Sequence, residues 1–273
     1  MTVHDHLLRD KAPIPTTAWA AVDDEARERL TPLLTARRLA DWTGTAGWKA
    51  SSVDLGRSHR LAGPPPGAAA GSARARLRRV QPLVEFRVPF TVSREEIDDL
   101  QRGSQDPEFD DLARAAREAA EIENRAIFHG WPDAGITGIT EISPYDAVPL
   151  GEDPAKYPGA VARAVDQLRR QGIEGPYALA IAPAGYTRIV ETTEHGGYPL
   201  FEHLSRILGG QVHRAPGLDG ALVVSQRGSD FLLDVGQDLA IGYHDHDGQV
   251  VHLYFEESFT FRAVEPDAAV VLR

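Results

Sequence analysis

Cysteine is absent from this chain of 273 residues. Without thiols there can be no disulfide, no thiolate nucleophile and no cysteine metal site, a composition that suits a reducing compartment. Long apolar runs are missing as well: no segment approaches the roughly 20 apolar residues needed to cross a bilayer. The first thirty residues carry Asp5, Arg9, Asp10 and Lys11, with prolines at 13 and 15, where a signal peptide would be continuously apolar. The expectation is a soluble cytoplasmic protein. There is no excess of positive charge either, and a net charge of −11 argues against a surface that coats phosphates, so neither nucleic acid nor membrane is expected as a partner. No Gly-x-Ser-x-Gly, Walker loop or Gly-x-Gly-x-x-Gly after a strand occurs, and no catalytic residue is assigned.

What is present is enough for an ordinary core, with 42% hydrophobic residues. Thr16 or Thr17 caps a helix whose Trp19, Val22, Ala26, Leu30, Leu33 and Leu34 recur at three and four. Pro32 interrupts it, and Thr31 as cap with Pro32 as first residue restarts a helix after a bend. Residues 44–73, rich in Gly, Ala, Ser and Pro, read as an extended hairpin arm. From Leu55 to Val84 stand Arg57, Arg60, Arg74, Arg76, Arg78 and Arg79 with no acidic residue, so a basic arm joins an acidic body. Viewed alone, the run fits a solvated basic loop equally well; against an acidic body it suits a neighbouring copy of the same chain, a contact that repeats into closed shells.

Val84, Phe86, Val88, Phe90 and Val92 alternate with polar residues as a half-buried strand, and Pro89 suggests an edge. Ser93 with Glu96 forms a capping box for a short helix ended by Gly103. Asp106 then caps, with Pro107 first, a spine helix of about six turns ending at Gly130. Beyond it come an amphipathic helix at 158–171, a buried strand at 177–181 and helices at 186–193 and 199–208. Strands dominate from Phe231 onward, and residues 228–243 read as a glycine-punctuated strand pair without a reactive centre. The whole implies an α+β fold.

Two polar clusters invite chemistry. His244 and His246, with Asp245, Asp247 and His252, are the best metal candidate, because alternate strand residues share a face. Spacing fixes no third ligand, and Tyr254 falls where a calcium loop needs its terminal Glu, so a polar hairpin turn is preferred and no metal is assigned. Glu194-His195 can form an acid/base pair, but without a nucleophile or phosphate loop nearby an exposed loop is the better reading.

Several blocks together resemble one family. Gly-Gln-Asp-Leu-x-Ile-Gly-Tyr at 236–243 is similar to a motif of the encapsulin shell proteins of the linocin type, prokaryotic nanocompartments with the fold of tailed-phage major capsid proteins. Ala12-Pro13 leading to Trp19, Pro89-Phe90-Thr91-Val92 with Ile97-Asp98-Asp99-Leu100, Glu174-Gly175-Pro176-Tyr177 and Glu257-Ser258-Phe259-Thr260-Phe261 follow in the family's order. The resemblance implies four parts: an N-terminal helix region (1–43), an extended arm or E-loop (44–82), a peripheral domain with the spine helix (83–134 and 225–273) and an axial domain (135–224). It implies a non-enzymatic shell of about sixty copies. The cargo enzyme, a dye-decolourising peroxidase or a ferritin-like protein, would be held by its C-terminal peptide. Carried over by position, the peptide groove is Leu30, Leu34, Arg37 and Asp41 on one side and Asp238, Leu239 and Ile241 on the other. Thr193, Glu194, His195, Gly196 and Gly197 map to a five-fold pore, with Gly196-Gly197 resembling a one-residue insertion. Some relatives bind flavin on an aromatic ring near the start of the spine region; Ser93, Arg94, Glu95 and Glu96 offer none, and no cofactor is expected. The rivals are a phage head protein, disfavoured by the compact start at Ala12-Pro13 and the acidic balance, and an enzyme of bacteriocin or protease type.

Overall fold

The apolar spacing of the first helix is realised, but the helix does not restart. In the computed structural model, which describes residues 6–69, 71–194 and 196–273, helix α1 runs Thr16–Leu30 and buries Ala18, Trp19, Val22, Ala26 and Leu30. Pro15 holds its N-cap position and neither threonine caps it. The helix expected from Pro32 is absent. Asn124 takes its place in satisfying the backbone, donating from Nδ2 to the Leu33 carbonyl at 2.7 Å and accepting at Oδ1 from Ala36 N–H at 2.9 Å. Polar groups paired across the turn need no helical partner, and only a short 3-10 turn, Ala36–Arg38, follows.

Strand β1 (Asp41–Thr45) leads into β2 (Ser52–Arg60) and β3 (Arg76–Pro82), and then β4 (Val84–Ser93). Ser93 caps α2 (Arg94–Arg102) by accepting from Glu95 N–H at 3.1 Å, and Gly103, at φ 104°, ends it. The reciprocal half of the capping box does not form, because Glu96 accepts instead from Glu108 N–H at 3.0 Å. That bond holds the chain short of a helix there, so the spine α3 spans Asp110–His129 and starts later than Asp106. Asp106 instead accepts from the Ser104 hydroxyl.

The rest comprises the single turn α4 (Ile139–Ile142), α5 (Tyr157–Arg170), β5 (Tyr177–Ile181), α6 (Pro183–Glu191), α7 (Leu200–Leu208), β6 (Val212–Arg214), β7 (Ala221–Ser225), β8 (Phe231–Val235), β9 (Ala240–His246), β10 (Val250–Ala263) and β11 (Ala269–Leu272). Two sheets and a ribbon result. The larger sheet has the order β1-β8-β10-β4, with β9 also on β10; the smaller is β11-β7-β5-β6; β2 and β3 pair only with each other. Strand β4 is an edge, as Pro89 requires, since proline cannot donate to a second neighbour. Strands β8 and β9 do not pair with one another as the sequence suggested. Both are antiparallel to β10, β9 along Val251–Glu256 and β8 along Phe259–Ala263.

The core follows from these periods. Phe86, Val88, Phe90 and Val92 of β4 are buried together with Phe255, Phe259 and Phe261 of β10, and α3 packs on both strands. Alanines at 115, 116, 119 and 120 on α3 are buried and let helix and sheet approach closely. Helix α1 lies on α3. Around the smaller sheet, α5 covers β7 and β11, while α6 and α7 border β6. No described helix is long and apolar enough to cross a membrane.

One motif glycine is explained by packing. Gly242 pairs with Tyr254 across β9 and β10, and a Cβ at Gly242 would collide with the Tyr254 ring. Gly242→Ala is expected to cost about 1–3 kcal/mol through overpacking, read as a lowered thermal midpoint. Combining it with Tyr254→Leu should recover part of the loss, and a variant as stable as the parent would show that the ring does not need the glycine.

Candidate functional site

The groove residues named above are spread over α1, the following turn, β1, the approach to β9 and the start of β9 itself. Leu30 closes α1 and is buried, Leu34 and Leu239 are half-buried against the core, and Ile241 is buried opposite Phe255. Arg37 and Asp238 meet directly, Nη1 to Oδ1 at 2.9 Å. Asp41 is turned elsewhere: its carboxylate accepts from Ser229 N–H, at the turn before β8.

Arg37 is also the centre of a cluster that the sequence reading did not find. Its guanidinium donates to Glu123 from Nε (2.7 and 3.0 Å) and pairs with Glu257 through Nη2 at 2.7 Å, and both carboxylates are fully buried. The same cation lies over the Trp42 ring at 5.0 Å, a favourable position over a quadrupole. Burial by itself would lower the guanidinium's proton affinity, but Glu123, Glu257 and Asp238 outweigh it and raise it. Glu257 is pushed well above the usual carboxylate range, first by burial and then by the negative charge of Glu123. Among the described residues its Oε2 has no hydrogen-bond partner. The signal was legible: Glu123 sits on the apolar stripe of α3 and Glu257 on the inward-facing alternation of β10, where an acid without a partner is costly.

The loop mapped to the pore is a tight hairpin between α6 and α7. Thr193 bridges Pro199, Glu194 N–H donates to the Tyr198 carbonyl at 2.8 Å, and Gly197 N–H donates back to Glu194 at 2.9 Å. Gly196 and Gly197 take φ 96° and 79°, a conformation that favours glycine. The Glu194 carboxylate is tied to His203 of α7, Oε2 to Nδ1 at 2.8 Å. His195 lies outside the described residues.

In the arm, Arg57, Arg60, Arg74, Arg76, Arg78 and Arg79 are all exposed, and Arg76 bonds the hydroxyl and carbonyl of Ser58. Leu77 and Val80 beside them are 54% and 50% exposed, one on each face of the ribbon.

The histidine cluster has the form of a turn. A bulge leaves His244 unpaired between Tyr243↔Leu253 and Asp245↔His252, and the Tyr243 hydroxyl, not His244, reaches His246 at 2.5 Å. Asp247 accepts from Gln249 N–H (2.7 Å) and Val250 N–H (2.8 Å), backbone bonds that lower its pKa and close the hairpin. Among the described residues no three His, Asp or Glu side chains converge as a metal would need.

The buried carboxyl pair sets a pH dependence. With the Glu257 pKa higher in the native state than in the unfolded chain, the native state binds more protons, so stability falls as pH rises from the usual carboxylate range through the native value. Glu257→Gln keeps an oxygen acceptor for Arg37 and should flatten that part of the thermal midpoint against pH, whereas an unchanged slope would assign it to another group. Arg37→Ala strands two buried carboxyls and should cost about 3–5 kcal/mol in denaturant unfolding.

Comparison with known proteins places this geometry. Residues 4–260 match the family model described as encapsulating protein for peroxidase. The chain is 50% identical over 270 residues to the type 1 encapsulin shell protein of Rhodospirillum rubrum, covering 98% of this chain and 96% of that one. It is 42% identical over 267 residues to the type 1 encapsulin shell protein of Rhodococcus erythropolis, covering 98% and 99%. Among solved structures, the virus-like particle from Pyrococcus furiosus superposes with a TM-score of 0.58 at 17% identity over 92% of this chain and 98% of that one. The capsid of an empty GTA particle gives 0.52 at 16% identity over 88% and 89%, so the fold is shared with that capsid. Near-complete matches of this kind, on a chain folded like a capsid subunit, make the protein a member of the type 1 encapsulin shell protein family.

Proposed function

We propose that this chain is the repeating subunit of a hollow icosahedral shell of about sixty copies, enclosing a cargo enzyme that it holds by a C-terminal peptide. The observation that carries the reading is the β2–β3 ribbon. It pairs with neither sheet, carries six exposed arginines without an acidic residue between Leu55 and Val84, and exposes Leu77 and Val80. A segment with that surface has no stable resting place on its own chain, and an acidic copy of the same chain offers both charge complementarity and apolar cover. The four-part division, with arm, N-terminal region, peripheral and axial domains, is part of the same proposal.

For cargo capture, half-buried Leu34 and Leu239 supply apolar contact, and exposed Trp42, whose ring stands against the Arg37 guanidinium, adds an aromatic face. Arg37 is already engaged by three carboxylates, so in this mechanism it fixes the groove wall and Asp238 orients the peptide. A peroxidase fits the description of the matched family; a ferritin-like cargo is the other expectation. The Thr193–Gly197 hairpin would line openings for small molecules, its width set by the paired glycines and its charge by Glu194.

Replacing Arg74, Arg76 and Arg78 by Glu should leave folded subunits that sediment as small species, while the parent chain shows uniform spherical particles by negative-stain microscopy. Particles of normal size from that variant would remove the arm from assembly. Leu34→Asp with Leu239→Asp should retain particles yet lose the co-purifying enzyme in mass spectrometry, and retained cargo would move the groove elsewhere.

A further inference from the structure

A cavity of about 480 Å³ opens where the ribbon meets the end of β10, lined by Arg57 and Arg79 and closed below by Phe261, Ala263 and Val264. The ribbon's own irregularity creates it. Between the pairs Asp54↔Val80 and Ser58↔Arg78, three residues of β2 oppose Arg79 alone, and Gly56 takes φ 63° to allow it. Two extra residues preserve the alternation of faces, so Leu55 and Arg57 remain on the side of Arg79 and Gln81. Gln81 Nε2 donates to the Gly135 carbonyl at 2.8 Å and fastens the ribbon to the loop that forms the opposite wall.

The charges in this cavity do not balance. Arg262 is neutralised by Asp234 through bonds of 2.6 and 2.9 Å. Arg57 and Arg79 have no hydrogen bond or ion pair among the described residues, and no carboxylate lines the cavity. Thr137, which also lines the cavity, carries a hydroxyl that can donate. Two guanidinium forks and a hydroxyl around a concave surface match a tetrahedral oxyanion, since planar forks bind phosphate oxygens in pairs. We infer that this cavity at the base of the ribbon is an oxyanion site that takes phosphate-type dianions.

The test uses the full chain in its assembled state and inorganic phosphate as the probe, titrated calorimetrically against chloride at matched ionic strength. Saturable binding is expected, weakened by at least about tenfold in Arg57→Gln/Arg79→Gln, as the loss of charge-assisted bonds requires, and unchanged in Arg102→Gln/Arg170→Gln, whose arginines lie on helices α2 and α5, off both the ribbon and the cavity. Absent binding by the parent protein overturns the site, as does equal weakening in both variants, which would make the effect one of general charge. If phosphate binds only to dissociated subunits, a carboxylate of a second copy fills the cavity and the oxyanion site is refuted. Should the first variant fail to fold, phosphate must still raise the parent's thermal midpoint above that in chloride, and no rise refutes the inference.

Discussion

One guanidinium joins four parts of this molecule. Arg37, on the turn after α1, meets Glu123 on α3, Glu257 on β10 and Asp238 on the approach to β9. Two of those acids are sealed from water, so the arrangement is tolerated only while the cation stays in place. The cost of losing one partner, about 3–5 kcal/mol, is a large part of the 5–15 kcal/mol that holds a typical domain together. A helix with a period of 3.6 and a strand with a period of 2 bring their acids to one point in a single register, and the cluster thereby specifies how spine and sheet are aligned. Asn124, next to Glu123, secures the same turn through backbone groups of Leu33 and Ala36. Adjacent residues on one helix thus anchor the N-terminal region by charge and by hydrogen bonds.

Much of this architecture was legible beforehand, for identifiable reasons. The β4 alternation, the buried run at Tyr177–Ile181 and the glycine stops at 103 and 130 are local signals that tertiary contacts did not oppose. Failures occurred where a distant side chain claimed a backbone group. Asn124 prevented the helix at Pro32, and Glu96 delayed the spine by bonding Glu108. The partnership of β8 and β9 with β10 was hidden for a different reason: strand patterns reveal faces, not neighbours.

The candidate site divides in the same way. Arg37 with Asp238 came from family resemblance, and the structure joins them. Nothing local distinguishes Asp41 from Asp238, yet one faces Ser229 and the other Arg37. Glu194 was noted for its loop, but its partner His203 is nine residues away on α7, a pairing made by the hairpin geometry and invisible to spacing.

Strand β10 is flanked on one side by β4 over ten residues and on the other by β9 and then β8. A single residue inserted in its middle would turn half of the strand inside out, since side-chain faces alternate one by one. That would break three ladders at once and carry Glu257 away from its cation. Changes in length are therefore tolerated best in the segments that β10 does not touch, and guest peptides engineered into this chain belong in those segments, such as the tip of the ribbon around residues 64–67.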